Sequence, residues 1–298
     1  MMHTSSTAGN EAGHEAGHDP LADVSGQSVG RVGRICRSPL GWMLIGIVGV
    51  GAVSAVTAAG PGPVPVLGAV AAVVVYWAVM RFVARRPMPE IARHGAVREA
   101  MLGGALGLGF ILVSALVIAA CGGYSLSWAG NGFFSVVASA VAVQAGAAVT
   151  EELMFRGLAL QALERMFGSR AAVAITALLF GAAHLANPGA TAWSGLSIAI
   201  EAGAMLGAAF LWRRSIWFVV GLHFAWNATE QLLGIPVSGN TAEGLLSVHV
   251  SGSGPLTGGS FGLEASMVTV LIGVALAVSM FVLAHRRGGL LPRRRVAR

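Results

Sequence analysis

Eight apolar segments set what this chain can fold into. They lie at roughly 40–60, 64–84, 100–121, 133–155, 171–187, 191–212, 215–235 and 266–285, and most are near the 20 residues that cross a bilayer as a helix. The expected fold is therefore all-α, a polytopic membrane bundle of about eight transmembrane helices. Composition agrees: 55% of residues are hydrophobic and 11% charged, against about 25% charged in an average soluble protein. The fifth segment is short, which suits a helix shielded by its neighbours. Gly103, Gly107 and Gly109, among many alanines, suit helices whose backbones approach closely in lipid.

Charge divides the connections into two kinds. Arg31, Arg34 and Arg37 precede the first segment; Arg81, Arg85, Arg86, Arg93 and Arg98 follow the second; Arg165 and Arg170 follow the fourth. Arg213 and Arg214 follow the sixth, and Arg286, Arg287, Arg293, Arg294, Arg295 and Arg298 follow the eighth. The connections after segments one, three, five and seven hold no Lys or Arg. The positive-inside rule then puts both termini in the cytoplasm. The net charge of +6 is thus a topology signal, and arginines gathered at segment ends give no face for nucleic acid.

Residues 1–37 are polar, with a short Glu-Ala-Gly-His repeat ending at His14 and again at His18, and read as a disordered cytoplasmic tail. Those histidines suit a solvated tail better than a metal site. The first apolar run, beginning at Pro39, is long enough to stay as an anchor rather than a cleaved signal. A transmembrane domain over 38–288 and a basic cytoplasmic tail over 289–298 complete the division. Cys36 and Cys121 are too few for a disulfide framework or thiolate metal site.

Within the apolar stretches stand three polar anomalies: Glu151, Glu152 and Arg156 in the fourth segment, His184 in the fifth, and His223 with Asn227 in the seventh. Charge in a bilayer core costs about 3 kcal/mol per residue, so such groups face a protein interior and mark function. On a helix Glu152 and Arg156 are four apart and can pair, while Glu151 sits about 100° around and points elsewhere. Gln144, seven before Glu151, extends the polar stripe. Counted from the flanking arginines, Glu151, His184 and Asn227 lie roughly 20 Å deep and His223 about 13 Å. They are at depths that let them meet in one cavity. A straight helix from Gly132 to Arg165 would be about 50 Å long against a core of about 30 Å, so it must tilt, bend or run along the interface.

The trio Glu-Glu-x-x-x-Arg at 151–156, Phe-x-x-x-His at 180–184 and His-x-x-x-Asn at 223–227 resembles the CAAX-processing type II and bacteriocin-processing (CPBP) intramembrane proteases. The likeness covers roughly 130–235, with order and spacing intact and no motif position departing. It implies a helical membrane protease core whose active-site cavity opens toward the cytoplasm and cleaves peptide bonds near the bilayer. The family has been described both as metalloprotease and as glutamate-dependent.

The residues support hydrolysis on their own terms. Glu151 is the candidate base, His184 is placed to share its water, and His223 and Asn227 carry N–H groups suited to an oxyanion. Glu152 and Arg156 support the catalytic helix. The same atoms allow a metal reading, in which Glu151, His184 and His223 would hold Zn²⁺; there is no His-Glu-x-x-His motif, and the sequence favours a metal-independent mechanism only narrowly. No Ser-His-Asp set competes. The expected partners are a peptide or protein substrate and the lipid bilayer, with no nucleic acid. Two other classes use similar residues: a proton-coupled transporter, against which no internal repeat is visible, and a non-catalytic scaffold. Glu201 is deep enough to join the cavity but lies outside the motifs, Glu230 reads as sitting at its outer mouth, and the Gly/Ser-rich stretch 236–265 reads as an external loop. Trp77, Trp128, Trp193 and Trp217 fall near segment ends, as an aromatic belt would.

Overall fold

The computed structural model describes residues 30–292. The tails at 1–29 and 293–298, with His14, His18 and most of the terminal arginines, lie outside the described residues. The last seven residues expected in the disordered tail form a short helix α1 (Arg31–Arg37), closed by Ser38. Ser38 then caps α2 (Pro39–Thr57), its side chain accepting from Gly41 N–H at 3.1 Å.

The bundle continues with α3 (Val64–Ala78, ending in a π-helical turn Val79–Ala84), α4 (Ala96–Ala120) and α5 (Phe133–Glu152). The π-helical segment Leu153–Leu160 joins α5 to α6 (Gln161–Phe167). Next come α7 (Ser169–Ala183), α8 (Ala192–Ile198), a second π-helical segment Ala199–Ala204, α9 (Met205–Arg213) and α10 (Ile216–Leu232). The one-turn α11 (Gly254–Thr257) and α12 (Met267–Arg286) close the chain.

Among the described residues seven helices are long and apolar enough to cross a membrane. The eighth expected span is α10, a largely buried helix of 17 residues, at the lower end of the length that crosses a bilayer. The 35-residue helix Phe133–Phe167 is interrupted by the π-helical stretch Leu153–Leu160. There the i→i+5 pattern widens the helix directly after Glu152.

Helices touch where side chains vanish. A Cβ on Gly103 would stand 2.0 Å from the carbonyl oxygen of Phe218, one on Gly107 2.2 Å from that of Leu222, and one on Gly221 2.1 Å from that of Ala100. These contacts advance together along both chains, so α4 and α10 run parallel in near-backbone contact. Gly109 does not share this role, since a Cβ there would meet open space.

The two ends of the bundle are chemically distinct. At one end the arginine-bearing connections are tied together. Arg86 binds Glu90 at 2.7 Å and Gln161 at 3.0 Å, Tyr76 donates to Glu90 at 2.5 Å, and Arg213 pairs with Glu99. Arg214 reaches Glu164 at 2.7 Å, and Ser169 N–H donates to the carbonyl of Leu291 at 3.0 Å. Arg214 adopts φ 52°, which lets α9 turn into α10 within two residues.

At the other end the arginine-free connections meet. An antiparallel ribbon pairs β1 (Tyr124–Trp128) with β2 (Leu246–Val250), Tyr124 opposite Val250 and Trp128 opposite Leu246. Asn131 donates to Gly244 at 3.0 Å, Asn187 to Ser238 at 2.9 Å, and the Trp193 indole to Ala265 at 2.8 Å. The stretch expected as an external loop is therefore folded back onto the bundle. Phe261, Leu263 and Ala265 are buried, because its apolar residues have the helix ends to cover.

Candidate active site

α5, α7 and α10 converge on a cavity of about 600 Å³ lined by Glu151, His184, His223 and Asn227, together with Gln144, Phe180, Trp226 and Gln231. All four sequence-proposed groups thus line one space. Glu152 and Arg156 do not line it; they lie behind it, with Glu152 fully buried and Arg156 1% exposed.

Arg156 Nη1 donates to Glu152 Oε1 at 2.9 Å, and its Nη2 donates to the carbonyls of Ala202 at 2.7 Å and Gly203 at 3.1 Å. Those carbonyls belong to the π-helical segment before α9, where the widened turn leaves oxygens for an outside donor. The guanidinium also lies 4.9 Å from the Phe180 ring centroid, a cation–π distance. The same Glu152 oxygen accepts from His223 Nδ1 at 2.8 Å. One carboxylate therefore fixes both an arginine on its own helix and a histidine on α10.

Glu151 points the other way and keeps 28% of its side chain exposed, with Oε2 4.0 Å from His223 Nε2. His184 Nδ1 lies 2.8 Å from the carbonyl of Phe180. A carbonyl only accepts, so Nδ1 carries the proton and the neutral ring presents the Nε2 lone pair. Phe180 stands between the two imidazoles, 4.6 Å from His184 and 6.3 Å from His223 by ring centroids.

Two wall residues escaped the sequence reading. Gln231, which accepts from Gln144 Nε2 at 2.8 Å, is one turn beyond Asn227, and the spacing 223, 227, 231 was a visible signal of one polar face. Glu264 arrives from the Gly/Ser-rich stretch and accepts from Ser238 N–H at 2.6 Å. Nothing in its local sequence marks it. Burial pushes its carboxyl above the ordinary range, against the Ser238 hydrogen bond that pulls it down.

Glu230 is not at the outer mouth. It is fully buried, as is Glu201, which packs against Gly273 of α12 outside the cavity lining. The carboxylate oxygens of both are buried without a hydrogen-bond partner.

Among the described residues no group of three or more ligating side chains is placed to hold a metal. His223 binds Glu152 through Nδ1, which leaves its Nε2, 4.0 Å from Glu151 Oε2, as the free ring nitrogen.

The lining also includes Met154, Phe155, Ile198 and Ala202, and, from the arginine-free end of the bundle, Ala58, Ala59, Asn187, Asn240, Thr241 and Ala242.

Fold and site together define a class, a multi-pass helical membrane protein with an ionisable, water-accessible site between its helices. Residues 133–229 match the family model described as Type II CAAX prenyl endopeptidase Rce1-like, so the chain carries the CPBP family's signature over the third of its length that holds all three motifs. That family is one of proteases. Comparison with curated proteins and with solved structures finds no match.

Proposed function

We propose that the protein is an intramembrane endopeptidase of the CPBP type that hydrolyses peptide bonds near the membrane without a metal. The observation that carries this reading is the convergence of Glu151, His184, His223 and Asn227, from three helices, on one cavity backed by Arg156 and Glu152.

In this mechanism a water held between Glu151 and the Nε2 lone pair of His184 gives its proton to Glu151 as its oxygen bonds to the scissile carbonyl carbon. The carbonyl oxygen, now an oxyanion, accepts from the Asn227 carboxamide and from His223. With Nδ1 committed to Glu152, His223 donates from Nε2 only as imidazolium, with Glu152 and Glu151 as counter-charges. The C–N bond then breaks, and the proton on Glu151 passes to the departing amine. Arg156 and Glu152 act through His223 and the α5 backbone, as positioning residues.

Purified protein in detergent, given a quenched fluorescent peptide, tests the proposal. Glu151→Gln and His184→Ala are expected to abolish cleavage with the fold retained, and turnover like the wild type in either variant refutes it.

A further inference from the structure

The mouth of the cavity and the arginines occupy opposite ends of the molecule. Every arginine except Arg156 lies in a tail or near a connection of one face, the connections of the other face contain no Lys or Arg, and side-chain contacts tie each set of connections to its own end. Three of the helices that line the cavity, α2, α7 and α10, do so with the half away from their arginines, while α5 and the π-helical segment after it line it from Val143 to Phe155. α2 contributes Ser54 and Ala58 but is preceded by Arg34 and Arg37, α7 contributes Ala183 and His184 but starts beside Arg170, and α10 contributes His223 to Gln231 but starts beside Arg214. Leu153, Leu158, Leu160, Leu206 and Phe210, which stand between the lining residues and the arginines at the ends of their helices, are buried. Toward the other face, the mouth is rimmed by Asn187, Asn240, Thr241 and Ala242.

Positive connections are retained in the cytoplasm. We infer that the cavity opens to the extracytoplasmic side and that its substrates are polypeptides tethered to the membrane with the scissile bond presented on that side. The substrate half rests on the proteolytic reading; the orientation does not. The reaction that supplies such a substrate is translocation or insertion of a tethered peptide, not modification of a cytoplasmic C-terminus.

The native thiols report the orientation. Cys121 is exposed at the end of α4 on the cavity face, and Cys36 lies in α1 on the arginine face. The full chain in intact cells is treated with a membrane-impermeant maleimide before and after permeabilisation, with Cys36→Ser and Cys121→Ser assigning the signals. A Thr241→Cys variant lacking both native thiols reports the mouth itself. The expected result is labelling of Cys121 and of the cysteine at 241 in intact cells, and of Cys36 only after permeabilisation. The reverse pattern, or labelling of both faces in intact cells, overturns the inference.

An impermeant peptide offered to right-side-out and inverted vesicles, with Glu151→Gln as blank, then tests the substrate half. Cleavage only in right-side-out vesicles supports it, and cleavage only in inverted ones overturns it. Outward labelling with no cleavage from either side leaves the orientation standing and refutes the proteolytic reading.

Discussion

Replacing Arg156 by Met removes a buried cation from the interior of the bundle while keeping most of the side-chain volume. The guanidinium is 1% exposed and makes three hydrogen bonds, to Glu152 Oε1, Ala202 O and Gly203 O. Hydrogen bonds to charged groups contribute about 1.5–3 kcal/mol each when measured singly, but these three share one donor group and do not add. Removing one partner of a buried ion pair costs about 3–5 kcal/mol, chiefly because the other charge is left uncompensated. Glu152 has no exposure to water and would retain only His223. The expected loss is therefore about 4 kcal/mol.

If that energy is the cost of stranding Glu152, the companion change Glu152→Gln should recover part of it. The double variant should then be at least about 1 kcal/mol more stable than the sum of the singles predicts. Unfolding in detergent, followed by tryptophan fluorescence at matched protein concentration, measures all four corners of the cycle. An Arg156→Met protein within about 1 kcal/mol of wild type, or a cycle that adds within about 0.5 kcal/mol, would refute the reasoning.

Glu151→Gln should lower kcat by at least about 100-fold, the range of a lost general base, with little change in melting temperature. Rigorous chelation should leave peptide cleavage by purified protein intact, and loss of activity restored by zinc would count against the metal-free mechanism. Gly107→Val should prevent α4 from seating on α10, since its first added carbon already stands 2.2 Å from a backbone oxygen; the readout is loss of monodisperse folded protein in size-exclusion chromatography. For Glu264, burial raises the folded-state pKa. The native state then holds a proton that the unfolded chain releases, and stability falls as pH rises from the ordinary carboxylate range through the raised value. Glu264→Gln should flatten that fall in a pH series of thermal melts, and an unchanged slope would show that another group sets it.

How far the sequence could be read depends on what each feature requires of the rest of the chain. Hydropathy and arginine spacing located every long helix, because in lipid a segment must satisfy its own backbone and needs no partner to do so. The pairing of Glu152 with Arg156 was equally local, a matter of four residues on one helix. The bond from Glu152 to His223 was not, since it joins residues 71 apart and depends on how α5 and α10 are rotated. Glu264 shows the limit most clearly. A carboxylate in a Gly/Ser-rich stretch looks solvated until the helix ends beneath it are known, and its burial is a property of the α8 and α12 termini on which the stretch lies. That these groups could meet was legible for the same reason that direction was not. Counting residues from the arginines put Glu151, His184 and Asn227 roughly 20 Å in, but a distance from one face does not say which face the space between them opens toward. That follows from which helix halves are sealed by leucines and which are parted by small and polar residues, and it sets the arginine signal against the cytoplasmic mouth that family resemblance implied.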